Sequence, residues 1–545
     1  MGKIPDRPFL NQSFSPRGGG IDFLGMRAVN LRMLQDFLIP GVNNATSDFG
    51  TYCLAAWIPW KFQKIASSKE NFTYSHYKEF REAVEIAIAY SQRPESVANQ
   101  EFGSPRTRIG VQQKVNLDQP LSFNEANRTD ATSLFAAPLY GPSLRYLQLI
   151  TGDAIADDGT STHIPLTATD NTVALLVEEV ESSLKASKNF SSFDQLEVPK
   201  INSESLDDLG MHGFHPSYYR RSRPEIKRAF LQKFLVPSRP GDAADYRRLT
   251  AWLICETIRQ YEFKSPEELR ACWYTGLLPT GAPLELVDNE LVQHRRLWAL
   301  FQSRQIQRTI SELFLRCFEL GLKWGAKSVS EVLNYWQQSS VKTFDLESWD
   351  TFEDFIRSEA ETVLGSGSFK DISKAWHATV HEKHPSFDDI SEGDIEGELE
   401  RAFRMMARWW IRTQKWLLES ESDEFLNMGE RSRMSARWFN KWLNDRLSMN
   451  LSKIGEDIFS EIVFAQHIKV ALSRFDGKVQ RLRFTLGDSG IIPTTVAAKK
   501  LGQSPFRMAD RLPSFLGLLS DLDVIKWQEG VPLEVGTHTD FLLKS

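Results

Sequence analysis

The chain has 545 residues, with 65 Lys and Arg against 71 Asp and Glu, a formal net charge of -6, and 41% hydrophobic and 25% charged residues. These values exclude a disordered or fibrous chain and a globally basic, histone-like binder. The length suits about three domains, and the one excess is aromatic, at 35 Phe and 15 Trp.

Residues 1–20 carry Lys3, Arg7 and Arg17 without an apolar run, so they read as an arm rather than a secretory signal. Gly18, Gly19 and Gly20 cannot nucleate regular structure. A helical unit is expected over 21–93. Its helices cover 21–38, with Leu24, Ala28, Leu31 and Leu38 on one stripe, then 46–64 and 77–91. The second carries Phe49, Tyr52, Trp57 and Trp60, with Pro59 inside it.

Residues 94–205 read as a mixed, loop-rich segment, with short helices near 144–150 and over 171–187. Residues 206–473 form a helical body, with helices over 245–263, 289–323, 347–364, 394–419, 438–447 and 458–473. No repeat of fixed period runs through it.

The tail, 474–545, reads differently. Residues 479–486 alternate like a strand, 494–501 start a short helix ended by Gly502, and Ser504 with Pro505 opens a second helix towards Leu519. Residues 524–527 read as a closing strand. This is the order of a winged helix-turn-helix, in which one helix braces another at a major groove. The expected fold is therefore mainly α: a multi-domain helical body with a C-terminal winged helix-turn-helix-like α+β unit.

Cys53, Cys255, Cys272 and Cys317 form no CxxC pair, so neither a zinc ribbon nor a disulfide framework is expected, and a cytoplasmic home is. No window reaches the length of a membrane helix.

Three basic clusters stand out. Between residues 469 and 511 lie Lys469, Arg474, Lys478, Arg481, Arg483, Lys499, Lys500, Arg507 and Arg511, against Asp476, Asp488 and Asp510, so nine cations less three anions leave six positive charges. Such an asymmetry in a net acidic chain suits phosphate contact, with Lys499, Lys500 and Arg507 near the helix-turn-helix and Arg481 and Arg483 on the strand. The second cluster is Tyr218, Tyr219, Arg220, Arg221 and Arg223, followed by Lys227, Arg228 and Lys233. Tyrosine beside arginine suits nucleic-acid backbones and exposed bases, although a solvated helix entrance has the same composition. The third, Arg401, Arg404, Arg408, Arg412 and Lys415, shares one helical face with Glu398 and Glu400 a turn earlier, which is ordinary intrahelical pairing.

His377, His381 and His384 are the one metal-like group. His377 and His381 share a helical face at a chelating spacing, but His384 follows Glu382 by two residues, which breaks the zincin pattern. No phosphate-binding Gly loop, nucleophile elbow or dinucleotide turn is present, so no catalytic residue and no cofactor is assigned.

Residues 20–28 (GIDFLGMRA) with 38–46 (LIPGVNNAT), and residues 466–472 (QHIKVAL) with the Arg-rich strand after them, resemble uncharacterised, mostly helical prokaryotic proteins, some encoded among phage-defence and DNA-modification genes. The resemblance covers about a fifth of the chain, and it implies an auxiliary or DNA-facing subunit of such a system. Three functions are carried forward. The first is a non-enzymatic DNA-associated or complex-forming component of an anti-phage defence system, with double-stranded DNA and other subunits as partners. The second is a helical protein-interaction scaffold, and the third a metal-dependent enzyme using His377, His381 and His384.

Overall fold

In a computed structural model, the residues described are 22–67, 73–106, 133–135, 140–155, 161–196, 201–338, 345–364, 396–419, 424–429, 433–475, 482–494 and 510–542. They are mainly helical. Their strands pair as three antiparallel hairpins: β1 (Ile150–Ile155) with β2 (Ser161–Thr167), β3 (Phe484–Gly487) with β4 (Gly490–Pro493), and β5 (Ile525–Lys526) with β6 (Glu534–Val535). Among the described residues no helix is long and apolar enough to cross a membrane.

The chain divides into two compact units, each drawn from separate stretches. One holds the described residues within 1–33, 270–284 and 295–508, and the other those within 34–269, 285–294 and 509–545.

In the first unit the axis is the stretch 295–323 of the helix Asn289–Lys323, about 44 Å long at 1.5 Å per residue. Trp298, Phe301, Ile310, Leu313, Phe314 and Phe318 are buried along it. Phe314 meets Phe403 of Glu396–Glu419 edge to face at 5.2 Å, and Phe318 meets Phe484 of β3 at 5.2 Å. Aromatic pairs at these separations add to the area they bury. The same helix also buries a polar stripe. Gln307 Nε2 donates to Met434 O at 2.9 Å, Arg308 Nε to Glu312 Oε1 at 2.6 Å, and Arg316 pairs with Glu398 at 2.9 Å. Buried polar groups persist only with such partners.

In the second unit Phe49–Ala66 is buried over nearly its whole circumference, consistent with its aromatic content and Pro59. Gly50 is required there: a Cβ would sit 2.0 Å from Pro216 O. Asn171–Leu184 buries Val173, Leu176, Val177, Val180 and Leu184, and Asp170 caps it by accepting from Val173 N at 3.1 Å. Ala243–Ile258 is capped in the same way by Asp242.

The hairpin β1–β2 lies in the segment read as loops. Its register shifts between Ile150 and Gly152 and again between Asp153 and Ile155, so bulges erase the period-2 pattern that would mark a strand.

The winged-helix order over 474–545 is not assembled by the described residues. β3 pairs only with β4 and β5 with β6. Phe484 packs in the first unit, against Phe318 and Phe464, whereas Phe515 of the helix Leu512–Asp521 packs against Phe234 in the second. Leu512, Phe515, Leu516, Leu518 and Leu519 occupy most of the helix circumference and are all buried. A recognition helix needs a free polar face, and this stretch has none to offer a groove. The preceding helix expected over 494–501 lies outside the described residues, Thr494 excepted. All four cysteines are buried and unpaired.

Candidate functional site

The basic residues singled out in the sequence have different fates. Lys499, Lys500, Arg507 and Arg481 lie outside the described residues, as do His377, His381 and His384. Among the described residues no three His, Cys, Asp or Glu are grouped to hold a metal ion. Arg483 is buried and turned inward: its Nε and Nη2 both contact Glu319, the latter at 2.7 Å from Oε2. Arg474 bonds Asp22, with Nη2 2.8 Å from Oδ2. The Arg483 guanidinium is thus turned away from any polyanion, while that of Arg474 is partly exposed beside Asp22. A strand residue whose side chain faces a core meets whatever carboxylate that core supplies, and sequence spacing does not reveal it.

The second cluster is matched with carboxylates throughout. Arg221 pairs with Glu101 at 3.0 Å and lies over the Phe102 ring, and Arg223 pairs with Glu179 and Glu225, both at 3.2 Å. Lys227 reaches Asp523 at 2.8 Å, Lys233 reaches Asp170 at 2.5 Å, and Arg228 pairs with Asp540. The third cluster behaves likewise, with Arg404 and Arg408 both on Glu359.

Arg220 is different. It stands at the end of the 3-10 turn Pro216–Arg221 and lines an open cleft of about 610 Å³ in the second unit. Arg106, Trp527, Gln528 and Glu529 line it too, with Asn44, Ser47, Ser104, Pro513 and Ser514. Behind the two arginines are two buried carboxylates. Arg220 Nη2 donates to Asp48 Oδ1 at 3.1 Å, and its Nε lies 3.1 Å from Asp521 Oδ1. Arg106 Nη1 donates to Asp521 Oδ1 at 2.5 Å, and the Arg106 backbone N donates to Asp48 Oδ1 at 3.2 Å. The carboxylate side chains are 1% and 2% exposed, against 29% for Arg220 and 23% for Arg106, so the acids are the base of the arrangement and the guanidiniums its accessible surface.

Local structure explains this placement. Asp48 precedes Phe49–Ala66, and Asp521 ends Leu512–Asp521 and accepts from Phe49 N at 3.1 Å. Burial pushes the Asp521 carboxyl upward and the Asp48 charge adds to this, while Arg106 and Arg220 oppose it. Gly517 lets Arg106 cross the helix, since a Cβ there would come within 2.7 Å of Arg106 Cδ. The Arg106 guanidinium lies 5.9 Å from the centre of the Trp527 ring.

A guanidinium has five N–H donors in a rigid fork, so each arginine can hold its aspartate and still offer donors to the cleft. The walls are otherwise hydroxyl and amide groups with one indole, one proline and the Glu529 carboxylate. The set suits recognition of an oxyanion and a planar ring. Sequence reading found Arg220 but not Arg106 or Trp527. Arg106 stands in the loop-rich segment and Trp527 beside a two-residue strand, and neither position carries a local signal. No family model, no curated protein and no solved structure matches the chain.

Proposed function

We propose that the protein is a non-enzymatic, nucleic-acid-associated component of a prokaryotic anti-phage defence system, and that the cleft of Arg106 and Arg220 is its phosphate contact. The observation that carries this reading is the pair of partly exposed guanidiniums braced from behind by buried Asp48 and Asp521. Phosphate contacts by arginine supply affinity without sequence preference. Lys499, Lys500 and Arg507 would add further phosphate contacts.

The test is a salt titration of binding to duplex and single-stranded DNA by the full chain. Ser104→Glu and Gln528→Glu place charge in the cleft while leaving Arg106, Arg220, Asp48 and Asp521 unreplaced. Affinity should fall linearly with log salt, and each substitution should weaken it about tenfold at fixed salt. Absence of salt-dependent binding removes the reading.

The matching of Arg221, Arg223, Lys227, Arg228 and Lys233 to carboxylates favours a second reading, a helical protein-interaction scaffold without nucleic-acid contact. Binding to a subunit encoded by a neighbouring gene, with no affinity for DNA at low salt, would select it.

A further inference from the structure

The cleft is concave, whereas the backbone of a duplex is a broad convex surface. Its volume of about 610 Å³ falls within the range of small-molecule sites. Its two kinds of recognition group sit side by side, guanidinium against indole. Trp527 is half-buried, and its Nε1–H is buried with no hydrogen-bond partner in the protein. An indole N–H is a donor only, and this one is closed off from solvent, so what Trp527 offers a ligand is its ring. The Trp527 backbone is held in place: its N donates to Ser520 Oγ at 3.3 Å, and that hydroxyl donates to Trp527 O at 3.4 Å.

The polar walls divide in the same sense. Ser514 Oγ is committed to Asn44 O at 2.9 Å and Ser47 Oγ to Asp48 Oδ2 at 3.1 Å, so they shape the cleft. The exposed Gln528 amide has both a donor and an acceptor to present to a ring edge. Glu529 is the carboxylate of the lining, and it disfavours a second phosphate beside the first.

We propose that this cleft receives a single nucleoside monophosphate unit, with its phosphate on Arg106 and Arg220 and its base against the Trp527 indole. The inference rests on the nucleic-acid reading above and narrows it. Two guanidinium forks at one point present several N–H donors, which suits the three terminal oxygens of a phosphate monoester better than the two of a diester. Base stacking on an aromatic ring requires a nucleotide free of duplex stacking. Two sources carry this chemistry, the 5′-phosphorylated end of a single strand and a free nucleotide.

The experiment uses the full chain. Calorimetry measures binding of deoxyadenosine 5′-monophosphate and of deoxyadenosine. Fluorescence anisotropy compares a 3′-labelled single strand bearing a 5′-phosphate with the same strand bearing a 5′-hydroxyl. The phosphorylated member of at least one pair should bind about tenfold more tightly or better. Trp527→Ala should weaken that binding about tenfold, and Trp527→Phe should restore most of it because the ring face is kept. Preference confined to the mononucleotide pair identifies a free nucleotide as the ligand, and preference confined to the strands identifies an end. Both support the assignment.

Indifference to the phosphate, or no loss with Trp527→Ala in a protein that melts like the parent, overturns it. If duplex and single strands then still bind, and Gln528→Glu still weakens them, the broader reading survives alone. If no probe binds, both fall.

Discussion

Arg483 Nη2 lies 2.7 Å from Glu319 Oε2 and its Nε also contacts that carboxylate, with the two side chains 9% and 2% exposed. Sequence reading placed this arginine on a phosphate, and the fold places it on an acid of the central helix. Removing one partner strands a buried charge. Arg483→Ala should therefore lower stability by roughly 3–5 kcal/mol, while Arg483→Met with Glu319→Met recovers most of the loss. Denaturant unfolding measures both, and the affinity of the folded variant for DNA should not change.

The backbone N–H of the same residue donates to His467 Nε2 at 2.9 Å, and His467 Nδ1 faces Phe23 O at 3.3 Å. The ring is therefore neutral, with its proton on Nδ1. Burial lowers its pKa from 6.5 to about 4; the Arg483 charge lowers it further and the Phe23 carbonyl opposes the shift. A lowered histidine contributes stability that is present above pH 6.5 and lost as pH falls through about 4, a window of roughly 3 kcal/mol. His215 and His294, lowered to about 4 and about 3, chiefly by burial, act in the same direction. Melts from pH 7 to pH 4 should lose part of this acid limb in His467→Gln.

Glu85 has the opposite sign. Burial raises its carboxyl from 4.5 to about 7, against the lowering effects of Arg81, Ser133 and Leu134 N. Its favourable contribution is complete below pH 4.5 and is lost as pH rises through 7. Glu85→Gln keeps an acceptor for Ser133 Oγ and Leu134 N, at 2.7 and 2.9 Å. That variant should match the parent near pH 5 and exceed it by roughly 1–3 kcal/mol above pH 8 in thermal melts.

Gly517→Ala tests the cleft without replacing a charged residue. The new Cβ would press on Arg106 Cδ at 2.7 Å and Nε at 3.1 Å, and on Ser47 O at 3.2 Å. The helix gains about 1 kcal/mol of intrinsic propensity, which offsets the crowding. Stability should therefore change little while affinity for nucleic acid falls at least about threefold. A shift in melting without a shift in affinity would separate Arg106 from binding.

Much of the helical framework is legible in the residues. The helix expected over 289–323 is observed as Asn289–Lys323, and that over 394–419 as Glu396–Glu419. Phe49–Ala66, Tyr74–Ser91 and Asn171–Leu184 also lie close to their expected places. The candidate site was only partly legible. Arg220 was visible as a member of a charge run, but the run did not distinguish it from Arg221 and Arg223, which meet Glu101 and Glu179 outside the cleft.

Periodicity is local, because an apolar stripe at 3.6 residues per turn needs only its own helix to be read. That is why the residues alone determined a mainly helical chain and most of its helix positions. Partnership is not local. Asp48, Arg106, Arg220 and Asp521 are separated by up to 473 positions yet share hydrogen bonds and ion pairs, and Phe484 and Phe515 enter different units from one tail. Tertiary structure alone decided which cations pair with an acid inside a core, as Arg483 does, and which pair with buried acids at the base of a cleft, as Arg106 and Arg220 do. A charge's role depends on its neighbours and its dielectric surroundings, and both are set by folding.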